Sequence, residues 1–105
     1  MNQSDKIYIA GHNGLVGSAI VRFLKKSGYN NIITRSSAEV DLRDQQSVRE
    51  LFEKEKPQYV FMAAAKGGVI LANQTYPAKF IFDNLAIQNN VINESYRNGV
   101  EKLFF

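Results

Sequence analysis

Gly11, Gly14 and Gly17 form the pattern Gly-x-x-Gly-x-x-Gly directly after a short apolar run, Ile7 to Ala10. Glycines so spaced suit phosphate binding. The first permits a sharp turn, the second lets the backbone approach a pyrophosphate with no Cβ in the way, and the third lets the following helix pack closely. Free N–H groups and the dipole at that helix's start then stabilise phosphate charge. His12, Asn13, Leu15 and Val16 share the loop and the first turn. His12 is read as a backbone-positioned loop residue, because nothing nearby in the chain orients its ring for proton transfer.

About twenty residues past such a loop, an NAD-binding domain places a carboxylate to hold the ribose 2′-hydroxyl. Here Arg35 occupies that region, flanked by Thr34, Ser36 and Ser37, and no carboxylate occurs until Glu39. A guanidinium and hydroxyls are donors for a 2′-phosphate, which favours NADP(H) over NAD(H). The alternative for Arg35 is a solvated surface charge. Asp41 and Leu42 could hold an adenine, Asp41 by accepting from its amino group and Leu42 by packing; Asp41 reads equally as a turn or capping residue. Ala63, Ala64 and Ala65 end an apolar run with small side chains, which either admit a flat ring or ribose near the backbone or simply pack.

These residues need a scaffold, and the patterning supplies one. Strands are expected at Ile7 to Ala10, from Asn31 to Thr34 through Ile32 and Ile33, at Tyr59 to Met62 and from Lys102 to Phe105. The first helix places Leu15/Val16, Ala19/Ile20 and Phe23/Leu24 on one face and ends in Lys25-Lys26-Ser27-Gly28. The second starts at an Asp44 cap, buries Val48, Leu51 and Phe52, and stops before Pro57. A third runs from about Pro77 to Asn98 with Ile81, Leu85, Val91, Ile92 and Tyr96 as its apolar side. Alternation of this kind implies an α/β fold: a Rossmann-type parallel sheet with helices on both faces, here a four-strand N-terminal portion in the order 3-2-1-4. Residues 1–105 read as one nucleotide-binding domain that ends inside its fourth strand.

Composition removes other chemistries. The 105 residues are 45% hydrophobic and 22% charged, as in an ordinary globular domain, and the +3 net charge is interspersed along the chain. Without a Lys/Arg stripe, nucleic acid is not an expected partner. No cysteine is present and His12 is the only histidine, which argues against disulfides, thiolate chemistry and a zinc site. No signal core or apolar run of membrane-spanning length is seen, so no membrane partner and a cytoplasmic location are expected.

Three stretches carry a family resemblance: Ala10-Gly11-His12-Asn13-Gly14-Leu15-Val16-Gly17-Ser18-Ala19-Ile20, Ala63-Ala64-Ala65-Lys66, and Asn73-Gln74-Thr75-Tyr76-Pro77-Ala78 continuing through Asn84 and Asn90-Val91-Ile92. They resemble the extended short-chain dehydrogenase/reductases that act on nucleotide sugars, and within them the GDP-L-fucose synthase family. That resemblance implies NADP(H) as cofactor and a GDP-sugar as substrate. The family epimerises GDP-4-keto-6-deoxy-mannose and reduces its C4 ketone, with a homodimer that here would use the 77–98 helix. It adds Lys66 and Asn84 to the cofactor-side residues. The family's Ser and Tyr-x-x-x-Lys lie past the fourth strand, so no catalytic residue is carried over. Tyr8, Tyr29, Tyr59, Tyr76 and Tyr96 are followed four positions later by His12, Ile33, Ala63, Phe80 and Val100. Asn13 stands where the family often has Arg, and Lys66-Gly67-Gly68-Val69 permutes its usual Lys-Val-Gly-Gly. The competing reading is a non-catalytic module that binds a nucleotide or a partner through the same fold.

Overall fold

The computed structural model describes residues 1–64 and 77–104. The readings placed on Ala65, on Lys66 and its glycine loop, on 73–76 and on Phe105 lie outside the described residues. Within them the chain alternates β1 (Ile7–Ala10), α1 (Leu15–Lys26), β2 (Ile32–Ile33), α2 (Gln45–Glu55), β3 (Tyr59–Met62), α3 (Ala78–Arg97) and β4 (Lys102–Phe104). All strand pairs are parallel.

Local chemistry explains the boundaries. All four residues of β1 are buried, and Gly11 turns the chain away at a φ of 87°. Asp44 caps α2 by accepting from the Ser47 N–H, and Lys56 ends that helix in the left-handed conformation just before Pro57. Val48, Leu51 and Phe52 are its buried residues, as the spacing predicts.

The strand order is β2-β1-β3-β4 and not 3-2-1-4. Alternation along β1 shows why. Ile7 and Ile9 pack with Ile20, Val21 and Leu24 of α1, whereas Tyr8 and Ala10 pack with Val48, Leu51 and Phe52 of α2 and Val91 of α3. With right-handed crossovers, a helix changes face only when the chain reverses its direction across the sheet. The chain steps outward from β1 to β2, then α2 carries it back past β1 to β3. Continued outward travel would have left α1 and α2 on one face. The reversal makes the carboxyl ends of β1 and β3 the topological switch point, where open α/β sheets bind their ligands.

Two expected helix faces are corrected. On α1, Leu15, Val16 and Phe23 are exposed, Leu15 at 88%, and only Gly17 and Leu24 are buried. The helix presses on the glycine turn through Gly17 and on the sheet through Ile20, Val21 and Leu24, which leaves most of its apolar stripe facing outward. On α3, Ile81, Leu85, Ile92 and Tyr96 are likewise exposed, while Asn84, Val91, Glu94 and Ser95 are buried. Asn84 and Glu94 find partners on the packed side, whereas the buried Ser95 hydroxyl has none among the described residues. The Glu94 carboxylate accepts from Arg49 Nε at 3.4 Å and from the Arg97 guanidinium at 3.3 Å, linking α3 to α2.

Candidate functional site

A cleft of about 500 Å³ opens at the switch point. Gly11, His12, Asn13 and Gly14 form one side, with Ala64 at the end of β3. Arg35, Ser37 and Ala38 follow β2, the 40–43 segment precedes α2, and Ile87 comes from α3. Val40, Leu42, Ala64 and Ile87 also pack against the core beneath α2 and α3, so the cleft's apolar walls are extensions of that core.

The three glycines have different structural duties. A Cβ on Gly11 would lie 2.6 Å from the Ala64 Cα, and one on Gly17 would overlap the Gly11 carbonyl. The turn and helix are thus pressed together where only glycine fits. A Cβ on Gly14 would meet nothing closer than the Gly11 oxygen at 3.6 Å, an ordinary contact. Intramolecular packing therefore does not require glycine there, whereas a ligand approaching the backbone would.

Gly14 is also the N-cap of α1, with no side-chain cap and no acidic residue in the first turn. The N–H groups of Leu15, Val16 and Gly17 have no acceptor within the helix, as at any helix start. Leu15 and Val16 do not line the cleft; they border a separate apolar groove along α1.

Arg35 borders the cleft and is half-buried. Its guanidinium donates to the Thr34 carbonyl and to Glu55 Oε2, both at 2.8 Å. Asp41 is engaged by Arg43: Oδ1 accepts from the Arg43 backbone N–H and Nε, and Oδ2 from a terminal guanidinium nitrogen, each at 3.0 Å. The Asp41 carbonyl accepts from the Asp44 N–H at 2.9 Å. This is turn geometry in a residue that also borders the cleft. Hydrogen bonds from Arg43 hold the Asp41 carboxyl below its usual range, and Lys79 does the same for Asp83, which lies 3.5 Å from Arg43. The Leu42 carbonyl accepts from Asn90 Nδ2 at 3.0 Å, fastening this loop to α3.

Of the remaining sequence candidates, Ala63 donates its N–H to Ala10 at 2.8 Å and extends the β1–β3 ladder. Gly17 is buried beneath the turn, and Asn84 is buried on α3, donating to the Phe80 carbonyl at 3.1 Å; neither borders the cleft. Ala65 and Lys66 fall outside the described residues. The sequence reading missed Ala38, Val40, Arg43 and Ile87. Arg43 follows Asp41-Leu42 immediately, and its charge opposite Asp41 was an available signal. Ile87 falls between the buried positions Asn84 and Val91 at helical spacing, a signal hidden by the polar neighbours.

Comparison with known proteins agrees with this architecture. The profile described as the NAD dependent epimerase/dehydratase family matches residues 7–105. GDP-L-fucose synthase 1 of Arabidopsis thaliana is 55% identical over 104 residues, covering 99% of this chain and 32% of that protein. The chain thus spans about a third of the length of such relatives. Among solved structures, a GDP-mannoheptose C4 reductase from Campylobacter jejuni with NADP bound is 47% identical at a TM-score of 0.86, covering 98% of this chain and 32% of that one. A GDP-L-fucose synthetase from Naegleria fowleri bound to NADP is 33% identical at a TM-score of 0.81, covering 98% and 31%.

Proposed function

The chain belongs to the NAD dependent epimerase/dehydratase family, and from that premise we propose that it is the NADP(H)-binding portion, 1–105, of an enzyme of the GDP-L-fucose synthase kind. The whole enzyme would epimerise GDP-4-keto-6-deoxy-mannose and reduce its C4 ketone to give GDP-L-fucose. One observation carries the cofactor reading. The glycine turn, an uncapped helix start free of acidic residues in its first turn, and Arg35 border one cleft with apolar walls.

The residues fit the group. Gly11, Gly14 and the first-turn N–H groups of α1 would hold the pyrophosphate, with His12 and Asn13 beside it. Val40, Leu42 and Ile87 would take the adenine, Asp41 and Arg43 lying at its edge. Arg35 would meet the 2′-phosphate, while Ala63 and Ala64 would line the path toward the nicotinamide; Ala65 and Lys66 are cofactor-side residues by sequence pattern and family resemblance alone. The cofactor supplies hydride when bound. What these residues do is bind and orient it; the 105 residues contain no Tyr-x-x-x-Lys, so this chain alone should not turn over substrate.

Calorimetric titration with NADPH and NADH at low and moderate salt tests the reading. NADPH should bind more tightly, and Arg35→Ala should lose about tenfold or more in NADPH affinity while leaving NADH unchanged, as expected for a charge-assisted phosphate contact. Equal affinities, unaltered by the substitution, would overturn it.

Two finer points belong to the same proposal. A homodimer through α3 is supported by the exposed stripe Ile81, Phe82, Leu85, Ile92 and Tyr96, and Leu85→Glu should lower any self-association seen in sedimentation. A cytoplasmic site fits nucleotide-sugar reduction. Among the described residues, no helix is long and apolar enough to cross a membrane.

A further inference from the structure

Arg35 stands at the boundary of two cavities, the nucleotide cleft and a smaller one beside α2 that also includes Glu50 and Lys54. Its guanidinium is committed to partners that line neither cavity. One terminal nitrogen is 2.8 Å from Glu55 Oε2, and the other donates back to the Thr34 carbonyl. Glu55 is the last residue of α2, a helix that starts just after cleft-lining Arg43 and runs about 15 Å away from it. The other Glu55 oxygen lies 3.4 Å from Lys6 Nζ, at the entry to β1. That is the amino end of the sheet, whereas the cleft is at the carboxyl end. Glu55 therefore draws the Arg35 guanidinium down the face of the sheet, away from where a bound nucleotide would lie.

Resting on the cofactor reading of Arg35 given above, we propose that Glu55 is a specificity-determining residue: it competes with the cofactor's 2′-phosphate for the Arg35 guanidinium and thereby limits the preference for NADP(H) over NAD(H). Engaging the phosphate exchanges one anionic partner of Arg35 for another. Lys6 remains to compensate Glu55 after the exchange. NAD(H) has no 2′-phosphate to drive it, so its affinity is insensitive to Glu55.

The test is calorimetric measurement of both cofactors on the 105-residue chain carrying Glu55→Gln, Glu55→Asp or Glu50→Gln, together with Arg35→Ala and the double variant Arg35→Ala/Glu55→Gln. Glu55→Gln should raise the NADPH-over-NADH preference about fivefold, the upper end for a partly exposed ion pair. Glu55→Asp keeps the charge but shortens the reach, and should show part of the gain. It carries the test if the amide variant unfolds, as judged by circular dichroism. Glu50→Gln removes a carboxylate from the same small cavity without touching Arg35, and should change the preference little. In the Arg35→Ala background, Glu55→Gln should have no effect. A preference unchanged or lowered by Glu55→Gln, or raised equally by Glu50→Gln, overturns the competition while leaving the cofactor reading intact. Equal wild-type affinities for the two cofactors, unaltered by Arg35→Ala and by Glu55→Gln, overturn both.

Discussion

Two cavities of nearly equal volume, about 500 and 510 Å³, lie on this small domain, and they differ in what stands behind them. The cleft is walled by Val40, Leu42, Ala64 and Ile87, which pack on the closed core of Tyr8, Val48, Phe52, Val60 and Val91 beneath α2 and α3. The groove belongs to the opposite face, where α1 stands alone among the described residues and Leu15, Val16, Ala19 and Phe23 form one side with Phe61 on the sheet. Volume does not separate them. Fixed backbone donors, a guanidinium and walls held by buried neighbours make the first able to select a ligand, whereas the second offers only hydrocarbon.

The largest expected effect tests the difference between a covered aromatic ring and an uncovered one. Phe52 is fully buried, with its ring edge-on to Tyr8 at 5.7 Å. Phe52→Ala should lose about 4 kcal/mol in urea unfolding. Phe23, 68% exposed on the groove side, should lose less than about 0.5 kcal/mol when changed to Ala. Similar losses at the two positions would break the contrast.

A smaller effect separates folding from binding within the cleft. Gly17→Ala forces a Cβ into the Gly11 carbonyl and should destabilise by about 3 kcal/mol. Gly14→Ala meets only an ordinary contact and should lose under about 1 kcal/mol, yet weaken NADPH binding in calorimetry. Equal stability losses would mean that the turn is not pressed against α1 as described.

The smallest effect concerns pH. Asp41 and Asp83 are held below their usual carboxyl range by Arg43 and Lys79. A carboxyl depressed in the folded state stabilises the fold above its unfolded value of about 3.9 and loses that contribution as pH falls through the folded value. These exposed pairs should therefore leave thermal stability level between pH 5 and 8, with any loss confined to more acid solution. Asp41→Asn should alter the acid limb only. A decline beginning near pH 6 would contradict this.

Much of this was legible in the chain. Element types and the bounds of β1 and β3 follow from β-branched and aromatic runs closed by glycine or small residues, and α2 follows from its Asp44 cap and Val48-Leu51-Phe52 spacing. The glycine turn and Arg35 were visible as a potential site because their chemistry is local. Burial was less legible. Periodicity identifies an apolar stripe but not whether anything covers it, so the Leu15-to-Leu24 and Ile81-to-Tyr96 faces were assigned inward when most of each faces outward. Strand order depends on which face each crossover helix takes, information that resides in long-range packing. Ile87 escaped for the same reason, since it meets the cleft only once α3 is docked, whereas Arg43 carried a local signal beside Asp41 that was passed over.

That docking raises a question of rotation. Hydrophobicity alone would turn α3 so that Ile81, Leu85, Ile92 and Tyr96 met the sheet, yet these residues face outward. Glu94 settles the orientation in the other sense. In the observed setting its buried carboxylate finds Arg49, Arg97, Asn93 and Asn98; turned half a revolution, the helix would forfeit the Arg49 link that holds it to α2. A single acid thus acts as a rotational key. It brings Ile87 and Asn90 to the cleft side and leaves the greasier stripe outside.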